Sequence, residues 1–231
     1  IICMIPVWRR PEILNICIQR FLKIKCPYAD VEPVFVISKE DPEFDLNYQL
    51  IRSYKYLIYK NAPLGEKKNA GLRFCRNFEW DYFMDLNSDN VFTLLMWHYY
   101  KPYFESKTDF FGLANGHYFY HLRTDTVLRI TDYAFNDEGP VIWNGGRMIR
   151  REVVEAVGDL WRDDHHTGMD GMSHYNITKS GFRASYVDAG TLPLMMNLIS
   201  NITLTPVEML EDYGEKVNSS WAREVFGLDG D

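Results

Sequence analysis

The stretch Asp81–Phe92, DYFMDLNSDNVF, decides how this chain is read. Tyr82, Phe83 and Met84 form a short apolar run of the kind that makes a buried strand, and the polar residues after it have turn character. Asp85, Asn87 and Asp89 can each offer a side-chain oxygen to a hard cation. Side chains two apart in an extended segment point the same way, so two or three of them can converge on one divalent ion. In an open α/β sheet, ligands bind just beyond the carboxyl ends of the strands. The same residues also suit a solvated turn after a core strand, so the flanking chain has to separate the two readings.

Upstream, apolar runs and amphipathic segments alternate. Ile1 to Val7 reads as a strand. Pro11 sits well as a first helical residue, and Ile13, Leu14, Cys17, Ile18, Phe21 and Leu22 repeat at helical spacing through Lys23. A strand at Val34 to Ser38, a helix at Phe44 to Tyr54, a strand at Tyr56 to Tyr59 and a helix at Glu66 to Cys75 follow. This rhythm predicts an α/β fold with a mostly parallel sheet and right-handed crossovers. Downstream, a helix is expected at Phe92 to Tyr100, closed by Pro102. Strands are expected at Phe110 to Ala114, Tyr118 to Leu122, Val127 to Ile130 and Val141 to Trp143. Short helices at Arg151 to Val157 and Asp170 to Lys179 precede a strand at Arg183 to Val187. Beyond residue 190 the periodicity is weak, apart from a helix near Pro206 to Tyr213, and a tail or flap is expected.

At 231 residues, with 46% hydrophobic and 15% aromatic residues, the chain has enough apolar material for a sizeable core. A formal net charge of -7 disfavours nucleic acid and anionic membranes as general partners. No apolar run approaches the roughly 20 residues needed to span a bilayer. The opening Ile1-Ile2-Cys3-Met4-Ile5-Pro6 reads as a core strand and not as a signal peptide, so the expected location is cytoplasmic. Four cysteines without a CxxC pair are expected as reduced, packed thiols.

Taken together these segments resemble a glycosyltransferase of the family 2 type with a GT-A fold. Ile5 to Arg10 resembles that family's first strand and the polar turn under the nucleotide base. Ser38-Lys39-Glu40-Asp41 stands where the family carries an acid for base and ribose. Asn61 to Leu72 is similar to its N-x-G-x-x-x-A-R-N-x-G stretch, and Met84 to Asn90 to its metal-binding DxD strand end. Gly146 to Gly158 resembles its acceptor-side segment, and Gly168-Met169-Asp170 its Gly-Glu-Asp, whose Asp is the usual base. The resemblance implies one catalytic domain over residues 1–190. Residues 1–90 would bind the nucleotide sugar, residues 91–190 would form a smaller mixed acceptor side, and 191–231 would be the tail. Two departures stand out: Asn87-Ser88-Asp89 replaces the acidic triplet, so either Asp85 takes over a role or Asn87 is a neutral ligand, and Met169 replaces an acid.

The implied activity is transfer of a sugar from a nucleotide-diphosphate sugar to a glycan, lipid-linked or other hydroxyl acceptor. Negative charge grows on the departing diphosphate, and Mn²⁺ or Mg²⁺ suits an oxygen site that would stabilise it. Asp89 is the first candidate ligand, with Asp85 or Asn87 next and His166 as a further candidate. Pro6, Val7, Arg9, Glu40, Lys68, Asn69, Asn87 and Ser88 are candidates for the donor. Asp170 is the candidate general base, ahead of Asp163 and Asp164; an N-cap role for it would lower its pKa. Arg147, Arg150 and Arg151 are candidates for an anionic acceptor or diphosphate, and Trp143 for stacking on a sugar. A non-catalytic nucleotide-sugar or glycan-binding domain of the same fold is the competing reading, favoured by Asn87 and Met169.

Overall fold

A computed structural model describes residues 1–131, 141–200, 208–211 and 214–229. The elements, in order, are β1 (Ile2–Pro6), α1 (Pro11–Lys23), β2 (Glu32–Ile37), α2 (Phe44–Ile51), β3 (Lys55–Ile58), α3 (Leu64–Cys75), β4 (Tyr82–Asp85), β5 (Asn90–Phe92), α4 (Leu94–Glu105), β6 (Phe110–Leu113), β7 (His117–His121), β8 (Thr126–Ile130), β9 (Arg147–Arg150), α5 (Arg151–Val157), α6 (Met169–Lys179), β10 (Ala184–Val187), β11 (Met195–Ile199), α7 (Glu208–Glu211), β12 (Gly214–Val217) and α8 (Ser219–Phe226).

The fold is α/β with two mixed sheets. Seven strands lie in the order β3-β2-β1-β4-β9-β6-β10, and β9 alone runs antiparallel to both of its neighbours. Five more form the order β12-β8-β7-β11-β5. Strand alternation sorts the first sheet's side chains to two faces. Cys3, Ile5, Phe35, Ile37, Tyr82 and Met84 pack on one face with Leu14 and Ile18 of α1. Ile2, Met4, Val34, Val36 and Phe83 pack on the other with Leu72 of α3. Gly71 lets α3 lie close on that second face, since a Cβ there would stand 2.6 Å from both Met4 Sδ and Val36 Cγ2. The second sheet packs on α8 through Tyr118, Tyr120, Met196, Leu198, Ala222 and Phe226.

The turn Leu86–Asp89 leaves β4 in the first sheet and enters β5 in the second. It is fastened to the second sheet by the Leu198 amide, which donates to the Asp89 carbonyl at 2.8 Å, and by the Asn90 side-chain Nδ2, which donates to Asn197 Oδ1 at 2.7 Å. The candidate cation turn is therefore the junction of the two sheets.

Three expectations are corrected. Pro102 lies inside α4 and does not close it. Phe104, Tyr103 and Tyr100 crowd the Phe111 ring at 5.3, 5.0 and 5.3 Å, and this packing outweighs the lost helical hydrogen bond. Residues 141–143 form no strand; the Trp143 amide donates to the Leu113 carbonyl at 2.9 Å, and the strand of this region is β9. Residues 195–199, expected within a tail or flap, form β11, a buried strand between β7 and β5. The expected helix near Pro206 to Tyr213 is described only at Glu208–Glu211, and its remainder lies outside the described residues.

Candidate functional site

The site is built around the turn after β1. Val7 extends that strand by one bond to the Val36 carbonyl, and then Arg9 and Arg10 both take left-handed backbone angles, φ 56 and 57. Such angles cost a non-glycine residue about 1–3 kcal/mol each and persist only where the surroundings enforce them. The enforcement is visible. Asp41, 3% exposed, accepts from the Arg9 amide at 2.7 Å, the Glu43 amide at 2.9 Å and Asn47 Nδ2 at 3.1 Å. Asn47 Nδ2 also reaches the Arg9 carbonyl, and Lys67 Nζ donates to the Val7 carbonyl at 2.7 Å. Burial lowers the Lys67 pKa from its ordinary 10.5 to about 8, against the pull of Asp41 and Glu40. Trp8 carries two cations over its ring, with Lys67 Nζ at 5.7 Å and Arg9 at 5.8 Å from the centroid.

Arg10 reaches from this turn to the β4–β5 junction. Its Nη1 lies 2.9 Å from Asp89 Oδ2, and its Nη2 lies 3.5 Å from Ser88 Oγ. The other oxygen, Asp89 Oδ1, is buried and has no hydrogen-bond partner among the described residues. The turn holds its shape through the Asn87 amide, which donates to Asn90 Oδ1 at 2.8 Å.

Asp85 belongs to a different environment. Two residues beyond Phe83, it falls on the α3 face of the sheet, where Lys68 meets it. Lys68 Nζ donates to both Asp85 oxygens at 2.9 and 3.0 Å, and both side chains have no exposed surface. Asp85 and Lys68, expected on metal and donor respectively, are thus bound to each other in the interior. Asn69 is also turned inward. Its Nδ2 donates to the Trp161 carbonyl at 2.7 Å and to Asp163 Oδ1 at 2.8 Å, while its Oδ1 accepts from the Trp161 amide. It ties down the loop before α6. Gly65 permits the same loop's approach: a Cβ there would lie 1.9 Å from the Arg162 carbonyl oxygen, and the Gly65 amide donates to the His165 carbonyl at 2.9 Å.

That loop delivers Asp170 to the first turn of α6. Gly168, at φ 69, occupies the N-cap position, so Asp170 is not the cap. Asp170 is partly exposed, yet dense packing around its carboxyl raises its pKa above 3.8; nearby Asp85 adds to this, while Arg147, Lys68 and a hydrogen bond from the Asn144 backbone oppose it. Arg147 lies directly across from Asp85 in the β4–β9 register and is fully buried. It donates to the Ile142 carbonyl at 2.5 Å, the Asp170 carbonyl at 3.2 Å and Ser173 Oγ. Arg147 therefore binds β9, the 142–144 strap and α6 together beneath Asp170.

The register removes the other two arginines. Because β9 is antiparallel to β4, Arg150 pairs with Tyr82 at the far end of the strand, three residues or roughly 10 Å from Arg147. Arg150 pairs with Asp109 and Glu152 there, and Arg151 donates to the Phe78 carbonyl and stands over Trp80. Trp143 is 7% exposed and stacks on His117 at 4.6 Å, as a core residue and not as a sugar platform. His166 is exposed in the loop. Asp164 is held by Arg162 and His165, which lower its pKa to about 2. Glu40 is exposed and accepts from the Asn61 amide. Pro6 and Val7 end β1 at the turn, with Val7 fully buried. No three His, Cys, Asp or Glu side chains converge among the described residues, so Asp85, Asp89 and His166 do not form one ligand set.

Arg10, Asp41, Lys67 and Asn144 were not singled out from sequence. Arg10 and Lys67 each stand beside a residue of the same charge, Arg9 and Lys68, and Asp41 stands beside Glu40, from which its burial and its three donors distinguish it.

No protein-family profile matches the chain, and neither does any curated protein. Solved structures do. One is the mannosyltransferase PcManGT from Pyrobaculum calidifontis, in complex with GDP-Man and Mn²⁺, with a TM-score of 0.57 and 11% identity. That alignment covers 86% of this chain, which spans 56% of PcManGT. Another is S. aureus TarS 1–349 in complex with UDP-GlcNAc, with a TM-score of 0.60 and 9% identity, covering 98% of this chain and 70% of that one. At such identities the likeness is one of fold: this α/β architecture with mixed sheets is shared with glycosyltransferases.

Proposed function

We propose that this chain is a metal-assisted GT-A-type glycosyltransferase that moves a sugar from a nucleotide-diphosphate sugar to an acceptor hydroxyl with inversion. The observation that carries the reading is Asp89, a carboxylate at the junction of the two sheets with one buried oxygen that has no hydrogen-bond partner among the described residues. A divalent ion that takes one carboxylate from the protein and its other ligands from phosphates and water fits such a donor set. Asp89 would hold it, with Asn87 as a neutral neighbour, and bound metal would neutralise charge on the leaving diphosphate. The strained Val7–Arg10 turn, fixed by Asp41, Asn47 and Lys67, forms the floor for the nucleoside.

Asp170 takes the proton from the acceptor hydroxyl. A base works best when its pKa lies near the working pH, and burial moves Asp170 in that direction. Arg147, which donates to the Asp170 carbonyl, positions it, and the charges of Arg147 and Lys68 oppose the rise in its pKa. The catalytic domain is read as residues 1–190 together with β11, which closes the junction behind Asp89.

The test is nucleoside-diphosphate release from UDP- and GDP-sugars with Mn²⁺. Release by the native chain that Asp170→Asn abolishes supports the reading. Nucleotide binding without release from any donor, with or without simple glycoside acceptors, transfers the chain to the non-catalytic reading that Asn87 and Met169 favour. Met169 itself is 4% exposed and packs with Val153, Val154 and Trp161, so its side chain serves the core.

A further inference from the structure

We infer that Arg10 gates the metal position: it holds Asp89 while the donor is absent and moves to the donor's diphosphate when nucleotide binds, so that metal binds tightly only together with nucleotide. This rests on the glycosyltransferase reading of the same site. Arg10 and Asp89 are 15% and 10% exposed in their side chains, so their 2.9 Å pair is only partly screened by water. A divalent ion approaching Asp89 Oδ1 meets a carboxylate whose other oxygen already carries a guanidinium, and two cations on one carboxylate repel. Only the fraction of molecules in which Arg10 has let go presents the full charge of Asp89, and apparent affinity falls by that fraction.

A diphosphate offers Arg10 a better partner. Its oxygens match the two-pronged guanidinium, and its charge exceeds that of one carboxylate. Arg10 needs no backbone change to make the exchange, because its left-handed conformation, with Arg9 held by Asp41 and Asn47, fixes its root beside the site. Ser88 Oγ, 3.5 Å from Nη2, lies beside the Asp89 end of its reach. The two ligands are then linked: nucleotide removes the competitor of the metal, and by reciprocity metal favours the Arg10 position that holds nucleotide.

The test measures Mn²⁺ binding directly, by the loss of the free-ion paramagnetic resonance signal. The chain is titrated with Mn²⁺ alone, with UDP and with GDP. Arg10→Asn removes the charge and reach while tolerating a left-handed backbone, and Arg10→Lys keeps the charge but loses the fork. A circular-dichroism melt confirms folding of each variant, and Arg10→Lys carries the test if Arg10→Asn is unfolded.

The expected result is that Arg10→Asn binds Mn²⁺ alone about tenfold more tightly than the native chain, with Arg10→Lys between them. The nucleotide-induced gain in Mn²⁺ affinity shrinks correspondingly, and nucleotide alone binds Arg10→Asn more weakly. Equal affinity for Mn²⁺ alone in native chain and variants, with nucleotide tightening all of them, overturns the gate and leaves the donor site standing. No Mn²⁺ binding by any of them, with or without nucleotide, overturns both.

Discussion

Replacing Asp85 with Leu leaves the Lys68 ammonium without its carboxylate in a place with no exposed surface. Breaking a buried pair by removing one partner costs about 3–5 kcal/mol, because the remaining charge stays desolvated. For a chain of this size that lowers the melting temperature by roughly 6 to 20 °C. The companion change Lys68→Met restores most of the loss, since two apolar side chains of similar volume carry no desolvation penalty. Removing both members also takes away one charge that raises the Asp170 pKa and one that lowers it. The assay is thermal and urea denaturation of both single variants and the double variant, run as a cycle and followed by nucleotide titration with Mn²⁺. The reasoning requires strong coupling in the cycle and retained nucleotide binding by the double variant. An Asp85→Leu loss below about 1 kcal/mol, the range of exposed pairs, would show that the carboxylate is open to water. Loss of metal-dependent nucleotide binding in a stable double variant would make Asp85 a ligand after all.

Asp170→Asn is expected to lower turnover by about 10²–10⁴-fold while raising stability at neutral pH. The native carboxyl has a raised pKa, so the folded state binds more protons than the unfolded state, and stability falls as pH rises from 3.8 through the folded value. Parallel rate and denaturation measurements across pH check both halves, and an Asn variant less stable than the native chain at pH 7 contradicts the assignment. Lys67 has the opposite sign: its pKa is lowered from 10.5 to about 8, the unfolded state binds more protons between those values, and stability gains with pH across that window. Urea denaturation across that window checks this: the native chain should show the rise and Lys67→Met should lack it, and the same rise in both would assign it to another group. Gly65→Ala forces a methyl against the Arg162 carbonyl and is expected to cost about 1–3 kcal/mol. Its turnover should drop more than its nucleotide affinity, because the displaced loop carries Asp170 and not the β1 turn.

The alternating half up to residue 90 was legible because each strand there is a continuous apolar run and each helix keeps one apolar stripe. α1 is found at its expected bounds. The later half was less legible for reasons that particular residues display. β9, Arg-Met-Ile-Arg, begins and ends on arginine and reads as polar, although Arg147 is wholly buried by backbone carbonyls and Ser173. β11 follows a long irregular connection and pairs with β7 and β5, strands distant in sequence. Asp89 and Asp170 are candidates from the sequence by spacing and by resemblance. The inward turn of Asp85 was implicit in strand parity with Phe83, but its Lys68 partner could be known only once α3 was seated on that face. Arg150, Arg151 and Trp143 were chosen by type, and antiparallel register and core packing placed them elsewhere.

The most direct test is calorimetric titration of UDP and GDP into the native chain and Asp89→Asn, each with and without Mn²⁺. The account predicts that one nucleotide binds the native chain more tightly when Mn²⁺ is present, and that Asp89→Asn keeps its fold and loses that gain. Binding of neither nucleotide to the folded native chain, or an undiminished Mn²⁺ gain in Asp89→Asn, would contradict it.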